Sequence, residues 1–216
     1  CWFNSLFVSI FISDKGRKFN KFLRKIFIDG HTNKSKKLIG NPKFRITLAY
    51  LNMLIEASLK GDMNIINFVT NLFIKNIYNS KTKKEKKIYV NITDINKANN
   101  TIIFYIDLLY YIYKYISPPK YFYNFDIKIQ LIDARYNMTF PYLKNVDFYG
   151  NPHMILLDID KYLSKYISPT DEIYVHNIKY KLDSCNIIDT KNNHYCSLLM
   201  VNGTQCYFEG GSHSRL

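Results

Sequence analysis

His194-Tyr195-Cys196-Ser197-Leu198-Leu199-Met200-Val201, then Asn202-Gly203, then Thr204-Gln205-Cys206-Tyr207-Phe208-Glu209, is the stretch whose reading decides the fold. Asn-Gly is the residue pair that best tolerates the two positive φ angles of a tight hairpin turn. It joins strands predicted over Tyr195–Val201 and Gln205–Phe208. Upstream, a polar turn covers Asp189–Asn193, and strands are predicted at Tyr180–Ile188 and Ile173–Val175, with a turn near His176-Asn177. Met154–Ile159 is a continuous apolar run, and Asp126–Ile132 alternates through Ile127, Ile129 and Leu131, as a half-buried strand does.

The first half has a different period. Asn4–Ile12 is a compact apolar helix beginning just after Cys1, and Lys18–Phe27 carries Phe19, Phe22, Leu23, Ile26 and Phe27 at helical spacing. Gly30–Pro42 reads as a polar loop. Phe44–Leu59 is a helix stopped by Gly61, and Asp62 caps a helix over Met63–Tyr78. A basic loop, Lys81–Lys87, and a short strand, Ile88–Ile92, lead to a helix over Asn99–Ile116 that Pro118-Pro119 ends. Helices first and antiparallel strands second predict an α+β chain. It forms one domain over residues 1–216, a mainly helical lobe (1–120) followed by a mainly β lobe (121–216).

The 216 residues suffice for one sizeable core. The formal charge of +13 invites a nucleic-acid reading, but the basic residues are spread along the chain and few are Arg, so the charge reads as a Lys-rich solvated surface. No P-loop, zinc finger or helix-turn-helix pattern accompanies it. The apolar run Thr101–Ile116 is short for a membrane span and contains Asp107 and Lys114, so no spanning helix is expected. Cys1, Cys185, Cys196 and Cys206 include no Cys-x-x-Cys pair, which speaks against zinc, and four cysteines make no disulfide framework. The last three read as buried, reduced thiols, and the compartment as reducing and intracellular. Neither a metal nor a cofactor is expected. A sequence that starts on Cys reads as a fragment or a processed product.

Two places carry chemistry. Cys1 directly precedes an apolar helix, where the helix N-terminus and a nearby imidazole favour the nucleophilic thiolate. His194 begins a strand after a polar turn, so its ring lies at a sheet rim where it reaches a partner.

Cys1-Trp2-Phe3-Asn4-Ser5-Leu6 resembles the Cys box of ubiquitin-specific proteases, in which the nucleophile is followed by an aromatic residue, a hydrophobic one and then Asn-Ser. Tyr180-Lys181-Leu182, Ile187-Ile188, His194-Tyr195 and Tyr207-Phe208-Glu209 resemble the family's His box, and Met154–Ile159 looks like the strand preceding it. The resemblance covers Cys1–Ser5 and roughly Ile155–Gly210, and the chain as a whole is also similar to proteins of large DNA viruses. It implies a papain-like fold truncated at the Cys box, with Cys1 as nucleophile, His194 as general base and Glu209 as the residue that orients the imidazole. The implied substrate is the Gly-Gly tail of ubiquitin or a ubiquitin-like protein, and the implied location is the host cytoplasm if the chain is viral.

Three departures stand out. Asn193 occupies the usual Gly position before the His, Glu209-Gly210 occupies the window of the usual Asp or Asn, and the oxyanion donor would lie upstream of Cys1. Asp189 and Ser212 are lesser candidates for the orienting role, and Gly210-Gly211 for small residues lining the substrate channel. Trp2 and Phe3 read as core anchors and Tyr195 as packed at the sheet rim. Cys196 shares the His194 face but reads as core. The Tyr-rich stretch Tyr105–Tyr115 reads as an amphipathic helix. His31, His153, His176 and His213 read as structural or exposed, with His213 the other histidine worth testing. The competing readings are a papain-like protease of other specificity, an inactive relative that binds ubiquitin or another protein, and a basic nucleic-acid-binding protein.

Overall fold

A computed structural model describes residues 1–32, 35–62, 73–77, 79, 100–114, 129–133, 151–159, 172–175, 177–192 and 194–209. The chain mixes helix and sheet, and it divides into two compact units. One unit comprises Cys1–Pro119 with Ser184–Leu216, and the other Lys120–Asp183.

The first unit is built around its first helix. Trp2-Phe3-Asn4-Ser5-Leu6-Phe7 (α1) is buried at every position, and the chain continues through a π-helical stretch, Val8–Ile12, that is buried as well. A run buried at every position, its polar Asn4, Ser5 and Ser9 included, has no face to give to solvent and must be covered on every side. Aromatic rings do much of that covering. Trp2 meets Phe104 edge-on at 5.2 Å between ring centroids, Phe3 lies 5.2 Å from Phe73 and 5.8 Å from Phe104, and Phe11 lies 6.2 Å from Phe27. Trp2 and Phe3 are thus the core anchors expected.

The helix expected over Lys18–Phe27 is two helices, Asp14–Phe19 (α2) and Lys21–Asp29 (α3), divided at Asn20. Asn20 is fully buried. Its Nδ2 donates to the carbonyls of Ile10 and Gly16, each at 3.0 Å, and its Oδ1 accepts from the Tyr105 hydroxyl at 2.6 Å. A short amide side chain that takes backbone carbonyls for itself breaks a helix. Here the break joins α2, the π-helical stretch and the Tyr-rich helix Thr101–Lys114 (α5), of which Tyr105 is the buried anchor. The expected loop Gly30–Pro42 contains a small hairpin, His31–Thr32 (β1) with Ser35–Leu38 (β2), entered through Gly30 in the left-handed region that ends α3. Asn41 then caps Pro42–Leu59 (α4) by accepting from the Phe44 N–H at 2.9 Å, with Pro42 in the first turn. Residues 73–77 are helical. The other residues of the expected helix Met63–Tyr78, the basic loop, the strand Ile88–Ile92, Pro118-Pro119, His176, Asn193 and everything from Gly210 onward lie outside the described residues. Among the described residues no helix is long and apolar enough to cross a membrane.

The second unit contains two strand pairs. Ile129–Asp133 (β3) pairs with Met154–Asp158 (β4), and Glu172–Val175 (β5) pairs with Ile178–Lys181 (β6). The expectation of antiparallel strands fails for the first pair, which is parallel, Ile129 opposite Met154 and Asp133 opposite Asp158. A parallel pair needs a connection of about a dozen residues or more, and the chain between these strands is long enough to supply one. The strand expected over Tyr180–Ile188 is interrupted at Leu182-Asp183, where the chain passes from one unit to the other.

The returning segment belongs with the helices. Ser184–Asp189 (β7), His194–Val201 (β8) and Thr204–Glu209 (β9) form an antiparallel sheet in the order β7-β8-β9. The β8–β9 turn is the expected one, with φ of +52° at Asn202 and +78° at Gly203. The Asp14 carboxylate grips that turn, accepting from the Asn202 N–H at 2.9 Å and the Gly203 N–H at 2.8 Å while Arg17 bridges Asp14 and the Asn202 side chain. These bonds, the one from Gly203 foremost, hold the Asp14 carboxyl below its ordinary value of 3.8.

The carboxylate form makes these bonds, so their stabilisation is present above the ordinary carboxylate pKa and is lost as pH falls through the depressed one. Urea denaturation should show Asp14→Ala less stable than the wild type by about 1–2 kcal/mol at neutral pH, with the gap closing in acid. An equal midpoint at neutral pH would contradict the clamp.

Candidate functional site

β8 is the central strand, and its alternation separates two faces. Tyr195, Ser197 and Leu199 are buried toward the helical run, together with Phe208 from β9. His194, Cys196, Leu198 and Met200 point to the opposite face and are only partly covered.

The buried face is fastened to the helices by hydroxyls and one amide. Ser197 Oγ lies 3.2 Å from the Ser5 carbonyl of α1 and 2.8 Å from Asn186 Oδ1 of β7. Ser9 donates to the same Asn186 oxygen at 2.7 Å, and the Ser184 hydroxyl donates to the Ser9 carbonyl at 3.3 Å. Ser5 is thereby pinned to Ser197, and Asp14 to Asn202 and Gly203, so the helical run and β8 progress in the same direction. Traced back from the first pin, Cys1 lies one helical turn before Ser5, about 6 Å along the helix. His194 lies three residues before Ser197, about 10 Å along the strand. Both residues stand at the same end of the seam. Cys1 occupies the N-cap position of α1, its carbonyl accepting from the Ser5 N–H at 3.0 Å, and it is exposed.

The open face brings His194 and Glu209 together. Glu209 pairs across from Cys196, one diagonal step from His194 on the same face, and His194 Nε2 is hydrogen-bonded to Glu209 Oε1. The second oxygen, Oε2, accepts from the Tyr207 hydroxyl at 2.9 Å. The His194 side chain is 32% exposed and that of Glu209 46%, so a reactant can reach the pair from solvent. Asp189, opposite His194 in the register, spends its carboxylate on the turn that follows. It accepts from Asn192 Nδ2 at 2.6 Å and the Lys191 N–H at 2.9 Å, and these bonds, the first above all, hold its carboxyl low. Glu209, and not Asp189, is the carboxylate that meets the imidazole. Ser212, Gly210-Gly211 and His213 lie outside the described residues.

Chemically, an imidazole whose Nε2–H is given to a carboxylate presents the lone pair of Nδ1, and the carboxylate stabilises the charge once that nitrogen takes a proton. None of the four cysteines is in a disulfide. The expectation that Cys185, Cys196 and Cys206 are buried is corrected, since all three are partly exposed. Cys196 lies on the His194 face, not in the core. Burial still pushes the Cys185 thiol up, with Cys196 adding to the effect. Among the described residues no group of three or more His, Cys, Asp or Glu side chains is placed to hold a metal ion.

Sequence reasoning assigned no role to Tyr207 or Asn186. The signal for Tyr207 was present, because a residue two positions before Glu209 on a strand shares its face. Asn186 gave none, since its importance comes from serines distant in sequence. No family model, curated protein or solved structure matches the chain.

Asn186→Ala removes the acceptor of the Ser9 hydroxyl, a residue 5% exposed, while Ser197 keeps the Ser5 carbonyl at 3.2 Å. Leaving one buried hydroxyl short of its partner costs about 1–3 kcal/mol, and urea denaturation of the variant should show that loss. Unchanged stability would mean that Asn186 does not hold the seam.

Proposed function

We propose that this chain is a thiol-dependent hydrolase of the papain-like kind, acting on the C-terminal tail of ubiquitin or a ubiquitin-like protein, with Cys1 as nucleophile, His194 as general base and Glu209 as the orienting carboxylate. The observation that carries the reading is the hydrogen bond from His194 Nε2 to Glu209, on a sheet face open to solvent and at the end of the seam where Cys1 begins α1. Glu209 departs from the residue type the resemblance leads one to expect, and its bond to His194 supports its taking the orienting part.

In this reading Nδ1 of His194 takes the Cys1 proton. The thiolate attacks the carbonyl carbon of the tail's last glycine, and the negative oxygen is met by backbone N–H groups, that of Cys1 among them. The imidazolium returns its proton to the departing amine as the carbon–nitrogen bond breaks, leaving a thioester on Cys1. A water molecule gives a proton to the imidazole, attacks the thioester and releases the free carboxylate and the thiol. Glu209 keeps Nε2 protonated throughout and balances the imidazolium charge. A thiolate nucleophile and cysteines outside disulfides suit a reducing, intracellular setting, the host cytoplasm if the chain is viral.

The test uses ubiquitin carrying a C-terminal electrophile and a chain extended upstream of Cys1. A covalent adduct should form and be lost in Cys1→Ala, whose thermal unfolding should stay close to that of the wild type. His194→Ala should lower kcat/KM about 10²–10⁴-fold, and Glu209→Ala by less. A well-folded extended protein that forms no adduct would instead be a protease of other specificity or an inactive binding relative.

A further inference from the structure

We infer that Tyr207 is a positioning residue for the His194–Glu209 pair, its hydroxyl holding one oxygen of Glu209 so that the other meets His194 Nε2. The inference rests on the proposed role of that pair and adds to it the group that sets its geometry.

Strand alternation brings the three residues together. Tyr207 and Glu209 are two apart on β9 and share a face, and Glu209 lies diagonally across from His194 on β8. The two carboxylate oxygens then have separate duties, Oε1 toward His194 Nε2 and Oε2 toward the Tyr207 hydroxyl at 2.9 Å. A glutamate that is 46% exposed has little packing to select its rotamer. Its longer side chain also carries one more rotatable bond than an aspartate, so a single bond to a histidine would leave it much freedom. The second bond, from a tyrosine that is itself 52% exposed, narrows that freedom.

The phenol suits the task because it keeps its proton. A phenol is protonated across the neutral range at its ordinary value of 10.0, and hydrogen bonding, to Cys196 first and to Glu209 next, pushes Tyr207 higher still, so Cys196 is the competing acceptor for the proton that Glu209 Oε2 receives. Among the described residues the titratable groups on this face are Cys185 and Asp189 on β7, His194 and Cys196 on β8, and Tyr207 and Glu209 on β9. Asp189 is committed to Lys191 and Asn192. Tyr207 is accordingly the described donor at Oε2.

The tautomer of His194 reads out the positioning without any need for substrate. In a ¹⁵N-histidine-labelled protein at about pH 8, above the ordinary imidazole range, the two ring nitrogens of His194, assigned by comparison with His194→Ala, should report mainly the Nε2–H form. In Tyr207→Phe, which keeps the ring, the Nδ1–H form should rise about threefold to tenfold, the scale of one hydrogen bond. An unchanged tautomer ratio in Tyr207→Phe, alongside a changed one in Glu209→Ala, would overturn the role of Tyr207 and leave the pair intact. An unchanged ratio in both variants would overturn the pair and the inference together. A ratio that responds in both, in a protein that forms no adduct with the ubiquitin probe, would support Tyr207 and remove only the proposed substrate.

Discussion

The first unit depends on one seam, where a helix buried on every side lies along the inner face of a three-stranded sheet. Apolar burial makes the association favourable, but the hydrophobic effect is non-directional and does not by itself fix the register. Directional bonds fix it. Ser184, Asn186 and Ser197 of the sheet meet the Ser5 carbonyl and Ser9 of the helical run in the middle, and Asp14 grips the Asn202-Gly203 turn at the far end. Buried hydroxyls and amides tolerate few alternative arrangements, because each displaced partner leaves a polar group unsatisfied away from water. The seam therefore sets where the start of α1 lies along β8.

The site follows from that register. With two pins along the seam, the only freedom left to Cys1 and His194 is local, one helical turn on one side and three strand residues on the other. The sheet contributes the rest, since one alternation period places His194, Glu209 and Tyr207 on its open face and another places Tyr195, Ser197 and Leu199 inside. An imidazole, a carboxylate bonded to it and a phenol bonded to that carboxylate thus come from two adjacent strands. Cys1, the nucleophile in the proposed reading, stands at the start of the helix that the same sheet holds.

Elements with a strong period were legible in the sequence. The Asn202-Gly203 hairpin, the apolar helix after Cys1 and the helices Pro42–Leu59 and Thr101–Lys114 are close to their expected places. What was not legible depended on partners far along the chain. Asn20 looks like any polar residue within a helical pattern until the carbonyls of Ile10 and Gly16 and the hydroxyl of Tyr105 surround it. The parallel pairing of Ile129–Asp133 with Met154–Asp158 had a mark in the continuous apolar run Met154–Ile159, the pattern parallel strands favour, but nothing in that run names its partner. His194 and Glu209, which the structure joins by a hydrogen bond, stood out in the sequence by the residues around them. Cys196 was misread as core because a strand's alternation reveals which residues share a face but not which face the helices cover.

The measurement that bears most directly on the account is the rate at which iodoacetamide alkylates Cys1 at neutral pH, read by mass spectrometry of the Cys1 peptide in a chain extended upstream, with and without His194. If the seam brings Cys1 to the imidazole that Glu209 orients, Cys1 should react faster than Cys185, Cys196 and Cys206, and His194→Ala should slow it about tenfold or more while leaving the other three unchanged. An equal Cys1 rate in the wild type and His194→Ala would contradict the account, because it would mean that thiol and imidazole are not paired.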